Sequence, residues 1–277
     1  MWSFLVYSLT GLQLPENNDL RLLIDVAYEC GKISKRFFSF NPKSWEKDNN
    51  AGPVTEADIE INQMLHNELL NNRPDYGWLS EETEDSSSRV SNERVFIIDP
   101  IDGTRSFIAG KDTFAHSLAI AENGKVVTAV IYLPIPNLLY TASDIEPSRR
   151  NGSLISTSMV GDIDNSKLLA PAATMDSENW VGPVPNFIRE HRPSLAYRLC
   201  LVADGQFDAL LTLRDCWEWD IAAGELIVRM AGGITSDRLN KPLLFNNPFP
   251  KTMGCHAAGK TLHTLINSQI KNNKITI

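Results

Sequence analysis

Long hydrophobic runs are missing from this 277-residue sequence. No stretch reaches the roughly 18 consecutive apolar residues of a membrane-spanning helix, which excludes a helical span and predicts no membrane partner. Cysteine is scarce. Cys30, Cys200, Cys216 and Cys255 are widely spaced and none forms a CxxC pair, so a zinc site or a disulfide framework is not expected. Basic side chains are outnumbered, 26 Lys and Arg against 34 Asp and Glu, leaving a net charge of −8. A nucleic-acid binder carries a basic face, so broad duplex binding is disfavoured, while a local basic pocket for a phosphate stays possible. Repeats are absent, and the one low-complexity tract is Ser86-Ser87-Ser88. The apolar start, Trp2 to Leu9, lacks a Lys/Arg n-region and a small-residue cleavage site. Residues 1–17 are therefore expected to be an N-terminal extension, not a signal peptide, and the setting to be cytoplasmic.

The composition that remains is that of an ordinary globule, 43% apolar with 8% aromatic residues. At about 150 residues per domain, the length allows one large domain or two packed ones. Leu20, Leu23, Ile24, Ala27 and Gly31 recur at helical spacing and predict a helix over 18–38. Residues 41–53 read as an exposed polar loop, followed by a helix from about Thr55 to Asn71. Val95 to Ile98 is a continuous apolar run, read as a strand buried on both faces. His116–Ala121 and Val126–Leu133 flank Asn123-Gly124, the strongest short hairpin signal. The stretch 146–151 reads as a connection between halves. Beyond it come a strand over 207–213, a helix from Ile221 to Met230 stopped by Gly232-Gly233, and a last helix over 261–270. This alternation predicts a layered α+β or α/β sandwich. The expected division is an N-terminal half, 18–146, with most of the acidic candidates, and a C-terminal half, 147–277, contributing Asp220.

The chemistry-bearing residues are acids at the ends of predicted elements. Asp99 closes the buried strand, and Asp102 follows after Pro100 and Ile101. Glu81 and Glu82 follow another short apolar segment, and Asp220 precedes a helix. Hard divalent cations take oxygen ligands, and magnesium prefers a few carboxylates with water and phosphate. Two such ions can activate a water and stabilise a leaving oxygen. Asp99, central in the group, is the natural bridging carboxylate, and the Ile101 carbonyl is a possible further ligand. Each residue also has a plain structural use. Asp102-Gly103 suits a turn, Asp220 an N-cap, and Thr55-x-x-Asp58 a capping box. Lys47 suits the surface, His116 suits packing, and Trp217 and Trp219 suit packing beside the acid.

Taken together, four segments resemble the inositol monophosphatase family of magnesium-dependent, lithium-sensitive phosphatases. They are Gly52-Pro53-Val54-Thr55-Glu56-Ala57-Asp58, Leu79-Ser80-Glu81-Glu82, Ile98-Asp99-Pro100-Ile101-Asp102-Gly103-Thr104 and Trp219-Asp220-Ile221-Ala222-Ala223-Gly224. The resemblance implies an αβαβα sandwich and two or three Mg2+ ions. Glu81, Asp99 and the Ile101 carbonyl match one metal site, and Asp99, Asp102 and Asp220 match the second. Asp58 and Thr104 match the pair that orients the attacking water, with Glu81 among the catalytic acids. Ile101, Asp102, Gly103, Thr104 and Asp220 match substrate contacts, and Lys47 matches a loop lysine or third-metal contact.

Two departures bear on substrate. The 142–156 segment is short and lacks a glycine-rich aromatic run. Leu213 and Arg214 stand where inositol phosphatases often place an acid for ring hydroxyls. A guanidinium suits a second phosphate better than a polyol. This resembles the 3′(2′),5′-bisphosphate nucleotidase branch, which converts adenosine 3′,5′-bisphosphate to AMP. The alternatives are an inositol-1-monophosphatase, a sugar or histidinol phosphatase, and a non-catalytic RNA-associated factor. The expected partner is a small phosphorylated substrate, with the chain a monomer or homodimer.

Overall fold

A computed structural model describes residues 18–38, 42–47 and 52–271. The predicted extension 1–17 lies outside them. Helix α1 (Asn18–Phe38) buries Leu20, Leu23, Val26, Ala27, Cys30 and Gly31 along one stripe. Two short strands, β1 (Ser44–Glu46) and β2 (Pro53–Thr55), pair antiparallel, so part of the expected loop is a hairpin. Three residues a side are too few to show a strand period in sequence. Helix α2 (Glu56–Asn72) starts at Thr55, whose side chain and that of Asp58 close a full capping box.

A seven-stranded sheet follows. Its strands are β3 (Gly77–Ser80), β4 (Arg94–Asp102), β5 (Ala115–Glu122), β6 (Lys125–Leu133), β7 (Leu138–Ser143), β8 (Arg149–Arg150) and β9 (Ser153–Leu154), in that order. Helix α3 (Thr104–Ile108) separates β4 from β5. β3 and β4 are parallel and the remaining neighbours antiparallel. The β5–β6 turn carries Asn123 and Gly124 at φ 49° and 80°, the pair of positive angles that a tight hairpin turn requires. The stretch 146–151, expected as a connection, contributes β8, and this sheet runs on to Leu154.

The second half is built from β10 (Lys167–Leu169), β11 (Ile188–Glu190), α4 (Leu195–Ala203), β12 (Ala209–Thr212), β13 (Cys216–Trp217) and α5 (Glu218–Met230). It continues with β14 (Gly233–Ser236), β15 (Lys251–Thr252), β16 (Cys255–Gly259) and α6 (Lys260–Gln269). Five of its strands form a sheet in the order β11-β10-β12-β16-β14, and β13 pairs with β15.

The alternation of β4 explains the layering. Phe96 and Ile98 join a core with Leu23, Ala27, Ile61 and Leu65 of α1 and α2. Val95 and Ile97 join the opposite core, with Leu199, Ile221 and Leu226 of α4 and α5. A third core sets Leu168, Ala209, Leu211 and Ala258 against Leu262 and Ile266 of α6. The order is therefore α1 and α2, the large sheet, α4 and α5, the small sheet, then α6: an α+β layered sandwich. Close approach is built in at two glycines. A Cβ at Gly31 would lie 2.5 Å from the Tyr132 ring, and one at Gly224 would lie 2.3 Å from a Leu199 methyl. All four cysteines are buried free thiols. No helix of the described residues is long and apolar enough to cross a membrane.

Candidate active site

Asp99 and Asp102 stand at the end of β4, where the ladder to β5 changes register. Asp99 is opposite Ser117 and Asp102 opposite Ala115, so three steps on β4 answer two on β5. That bulge turns both side chains toward the middle helix layer. Asp220 comes to meet them from α5. It is the third residue of that helix, whose N-cap is Trp217, so Asp220 is not the cap that its place in the sequence suggests. The helix begins three residues earlier than the apolar pattern starts, because Glu218 and Trp219 are also buried. Ser117 of β5 donates to the Trp219 carbonyl at 3.1 Å and ties the start of α5 to the strand beside Asp99.

The carboxylates of Asp99, Asp102 and Asp220 bring ligand atoms within 4.8 Å of one another, a grouping able to hold a metal ion. Burial pushes Asp99 well above the usual carboxylate range, and Glu81, Asp102 and Asp220 add like-charge repulsion. Burial likewise raises Asp220, with Asp102 and Glu81 adding to it. Asp102 is raised by burial too. It accepts bonds from Ser194 Oγ at 2.7 Å and the Ala196 N–H at 2.6 Å, which oppose the shift. Asp99 Oδ1 is buried with no hydrogen-bond partner. Buried like charges with an orphaned oxygen are unstable alone, and hard-oxygen donors of this kind fit a divalent cation such as magnesium.

Glu81 follows β3, and its N–H donates to the Ile98 carbonyl at 3.1 Å. Lys47 Nζ lies 2.7 Å from Glu81 Oε1 and 2.6 Å from Glu82 Oε1. Burial opposes the Lys47 charge, but the two glutamates outweigh it and hold its pKa above the ordinary lysine value. Burial, with Glu81 next, pushes Glu82 up to about 7.

Asp58 is fully buried in the first turn of α2. Its Oδ2 accepts from the Thr55 N–H at 2.9 Å and from Thr55 Oγ1 at 2.5 Å, while Oδ1 has no partner. Burial raises its pKa to about 6. Thr104 Oγ1 donates to the Ile101 carbonyl at 3.1 Å. Asp58 and Thr104 are thus not hydrogen-bonded to each other here: Thr55 takes one Asp58 oxygen, and the Thr104 hydroxyl turns back to Ile101 of β4. Gly103 caps α3 at φ 97°, and a Cβ there would lie 3.3 Å from the Thr113 carbonyl.

The family whose description is "Inositol monophosphatase family" matches residues 17–274. The chain belongs to the inositol monophosphatase family. Its class is accordingly phosphoric monoester hydrolase, and its acidic cluster suits a metal-dependent member. The inositol-1-monophosphatase of Rhizobium meliloti is 29% identical, over 79% of this chain and 85% of its own length. Inositol monophosphatase 2 of Saccharomyces cerevisiae is 32% identical, over 80% and 82%. The crystal structure of the extragenic suppressor protein suhB from Bartonella henselae superposes with a TM-score of 0.77 at 26% identity, covering 91% of this chain and 98% of that one.

Two residues outside the sequence motifs, Ser194 and Arg198, act on Asp102 of the acidic cluster. Ser194 caps α4 at φ 62° and holds Asp102. Its signal was available: Pro193-Ser194 precedes an apolar run, as an N-cap does. Arg198, one turn later, is 5% exposed, and its Nη1 has no partner. Its charge acts on Asp102 and Asp220, and burial lowers its pKa. A single guanidinium inside the apolar helix Leu195–Ala203 was the sequence clue. Arg214 is exposed, yet its charge also reaches Asp220 and Arg198. Arg214 lines a cavity of about 880 Å³ together with Thr174, Thr212, Leu213, Arg238 and Met253.

Proposed function

We propose that this phosphatase hydrolyses a phosphomonoester whose leaving group carries a second phosphate, with adenosine 3′,5′-bisphosphate converted to AMP and phosphate. The observation that carries this reading is Arg198. The charge of this buried guanidinium is met in part by Asp102 and Asp220, but its Nη1 donor has no partner beside the acidic cluster and suits an anionic oxygen of a ligand. Burial first, and then Arg198, Arg189, Arg214 and Arg192, lowers the pKa of His191, so several guanidinium groups converge on this flank. Leu213 and Thr212 carry no acid, although Asp176, Glu178 and Asp215 also line this cavity, and about 880 Å³ beside Arg214 is room for a nucleoside.

In this reading Glu81, Asp99 and the Ile101 carbonyl would hold one magnesium, and Asp99, Asp102 and Asp220 a second. Bound magnesium supplies positive charge that polarises the phosphate and eases deprotonation of water. The protein does the rest by placement. The backbone N–H groups of Gly103 and Thr104 receive phosphate oxygens. Thr104 turns from the Ile101 carbonyl to orient the water, and Asp58, at a pKa of about 6, accepts its proton through Oδ1. The water oxygen bonds to phosphorus as the phosphorus–ester oxygen bond breaks, and the leaving oxygen takes a proton from solvent water. Arg198 and Arg214 hold the second phosphate. Lys47 keeps Glu81 and Glu82 in place until cation arrives.

A second reading, inositol-1-monophosphatase, is favoured by the names of the bacterial and yeast relatives. Phosphate release from adenosine 3′,5′-bisphosphate and inositol 1-phosphate, with magnesium and with or without lithium, separates the two. The nucleotide should be preferred by at least about tenfold, and Arg214→Ala should erase most of that preference through KM, since a charged hydrogen bond is worth about 1.5–3 kcal/mol. Equal or better turnover of the inositol ester, untouched by Arg214→Ala, would establish the second reading instead.

A further inference from the structure

His116, the second residue of β5, is wholly buried and faces the β4 bulge. Pro100 and Ile101 are the residues that the bulge leaves without ladder partners, and Pro100 brings no N–H of its own. His116 Nδ1 lies 2.5 Å from the Pro100 carbonyl. A carbonyl only accepts, so the proton is on Nδ1. Burial lowers the His116 pKa to about 4, which leaves the ring neutral and Nε2 free to accept from Ser34 Oγ at 3.0 Å. The imidazole thus joins α1 to the turn between Asp99 and Asp102. Phe114 and Tyr132 fix its plane, with ring centroids 6.1 and 6.4 Å away.

We infer that His116 is a positioning residue whose Nδ1–H bond to the Pro100 carbonyl sets the spacing of Asp99 and Asp102 and so tunes cation affinity. The inference rests on the reading of these acids as cation ligands. A strand whose ladder is interrupted has a soft backbone. Without this bond the Pro100–Ile101 peptide could rotate, and the two flanking carboxylates would lose their common aim. Outer partners of this kind typically change metal affinity by about 10–100-fold when removed.

The test is titration calorimetry of Mg2+ and Mn2+ into the chelator-treated full chain, alongside thermal melting. His116→Phe fills the space but removes the donor, and should weaken cation binding by about tenfold or more. His116→Asn offers an amide N–H in the place of Nδ1 and should recover affinity to within about threefold of wild type. Ser34→Ala, which removes the support at Nε2 together with the Ser34 Oγ contact to the Gly31 carbonyl within α1, should weaken binding by about threefold and serves as the readout if His116→Phe does not fold. Wild-type affinity in a folded His116→Phe, or in Ser34→Ala where that is the readout, overturns the inference. So does an equal loss in His116→Phe and His116→Asn, which would make the ring a packing element alone. A wild-type chain that takes up neither cation overturns the ligand reading and this inference with it.

Discussion

Two clusters of buried polar side chains join different sheets of this protein to a helix, one at α5 and one at α6, and they differ in charge. At the end of β4, Asp99, Asp102 and Asp220 crowd together, and Asp99 keeps an oxygen with no donor. Under α6, His256 and His263 stack with ring centroids 4.2 Å apart and planes 10° from parallel. Ser236 Oγ lies 3.0 Å from His263 Nε2, and Asn267 reaches both rings at 3.2 and 3.1 Å. Burial holds His263 down to about 4 and His256 well below its ordinary value, so both rings are neutral. Neutral rings can be largely satisfied from within: an amide and a hydroxyl take three of the four ring nitrogens, and His256 Nε2 alone is left unpaired without carrying a charge. Like charges cannot be, and they need a partner from outside. The first arrangement could hold a metal ion, and the second is a joint.

The comparison is broken most directly at Asp99. Asp99→Asn should cut phosphate release by about a thousandfold or more, the scale of losing a principal charge-stabilising group. The same change should raise the melting temperature of the chelated protein, because it removes a buried unpaired charge. Near-normal turnover with unchanged stability would show that the cluster is not the site.

Cation addition is the next largest effect. Magnesium at about 100 times its Kd should stabilise the chelated protein by about 2.7 kcal/mol. Differential scanning calorimetry should show a rise of several degrees. His263→Phe should retain that rise and Asp99→Asn should lose most of it.

The two clusters should also answer pH with opposite sign. Asp58 has its carboxyl raised from 3.8 to about 6 in the folded chain, so its contribution is fully present below about 4 and is lost as pH rises through about 6. Asp99, Asp102 and Asp220 are shifted in the same direction. The buried histidines do the reverse. The contribution of His256 and His263 is present above 6.5 and is lost as pH falls, for His263 toward about 4. Melting of the chelated protein should therefore change less between pH 7 and pH 5 than melting of the magnesium-loaded protein, which should show the acid lability of the histidines. In His263→Phe that acid lability should shrink. A loaded protein with a flat profile would remove the histidines from the comparison.

The smallest effect is expected at the joint itself. Ser236→Ala should cost about 1 kcal/mol in urea unfolding, the typical net value of one hydrogen bond, and leave cation affinity unchanged.

Much of this protein is readable along the chain. The helices over 18–38 and 56–72, the doubly buried β4 and the Asn123-Gly124 hairpin each carry a local signal: a helical stripe, a cap, an apolar run, a turn pair. The short pairs β1–β2 and β8–β9 carry none, since two or three residues have no period. The helical apolar run starts at Ile221, which puts Asp220 before α5; the helix itself begins with Glu218, fixed by bonds from Asn246 and Asn247. Arg198 and His116 were visible as residue types. What they do depends on partners 96 positions upstream in one case, through Asp102, and 16 positions upstream in the other, through the Pro100 carbonyl.

The sequence by itself determined the layered α+β class, the phosphatase family and the identity of the acidic residues, because periodicity, turn chemistry and short motifs are local properties. Only the tertiary structure decided that three of those acids share 4.8 Å, that Asp58 and Thr104 bond elsewhere, and that His116 grips the turn between two of the acids. Distances between residues a hundred positions apart are set by how helices and sheets stack, and that stacking is written in no single segment.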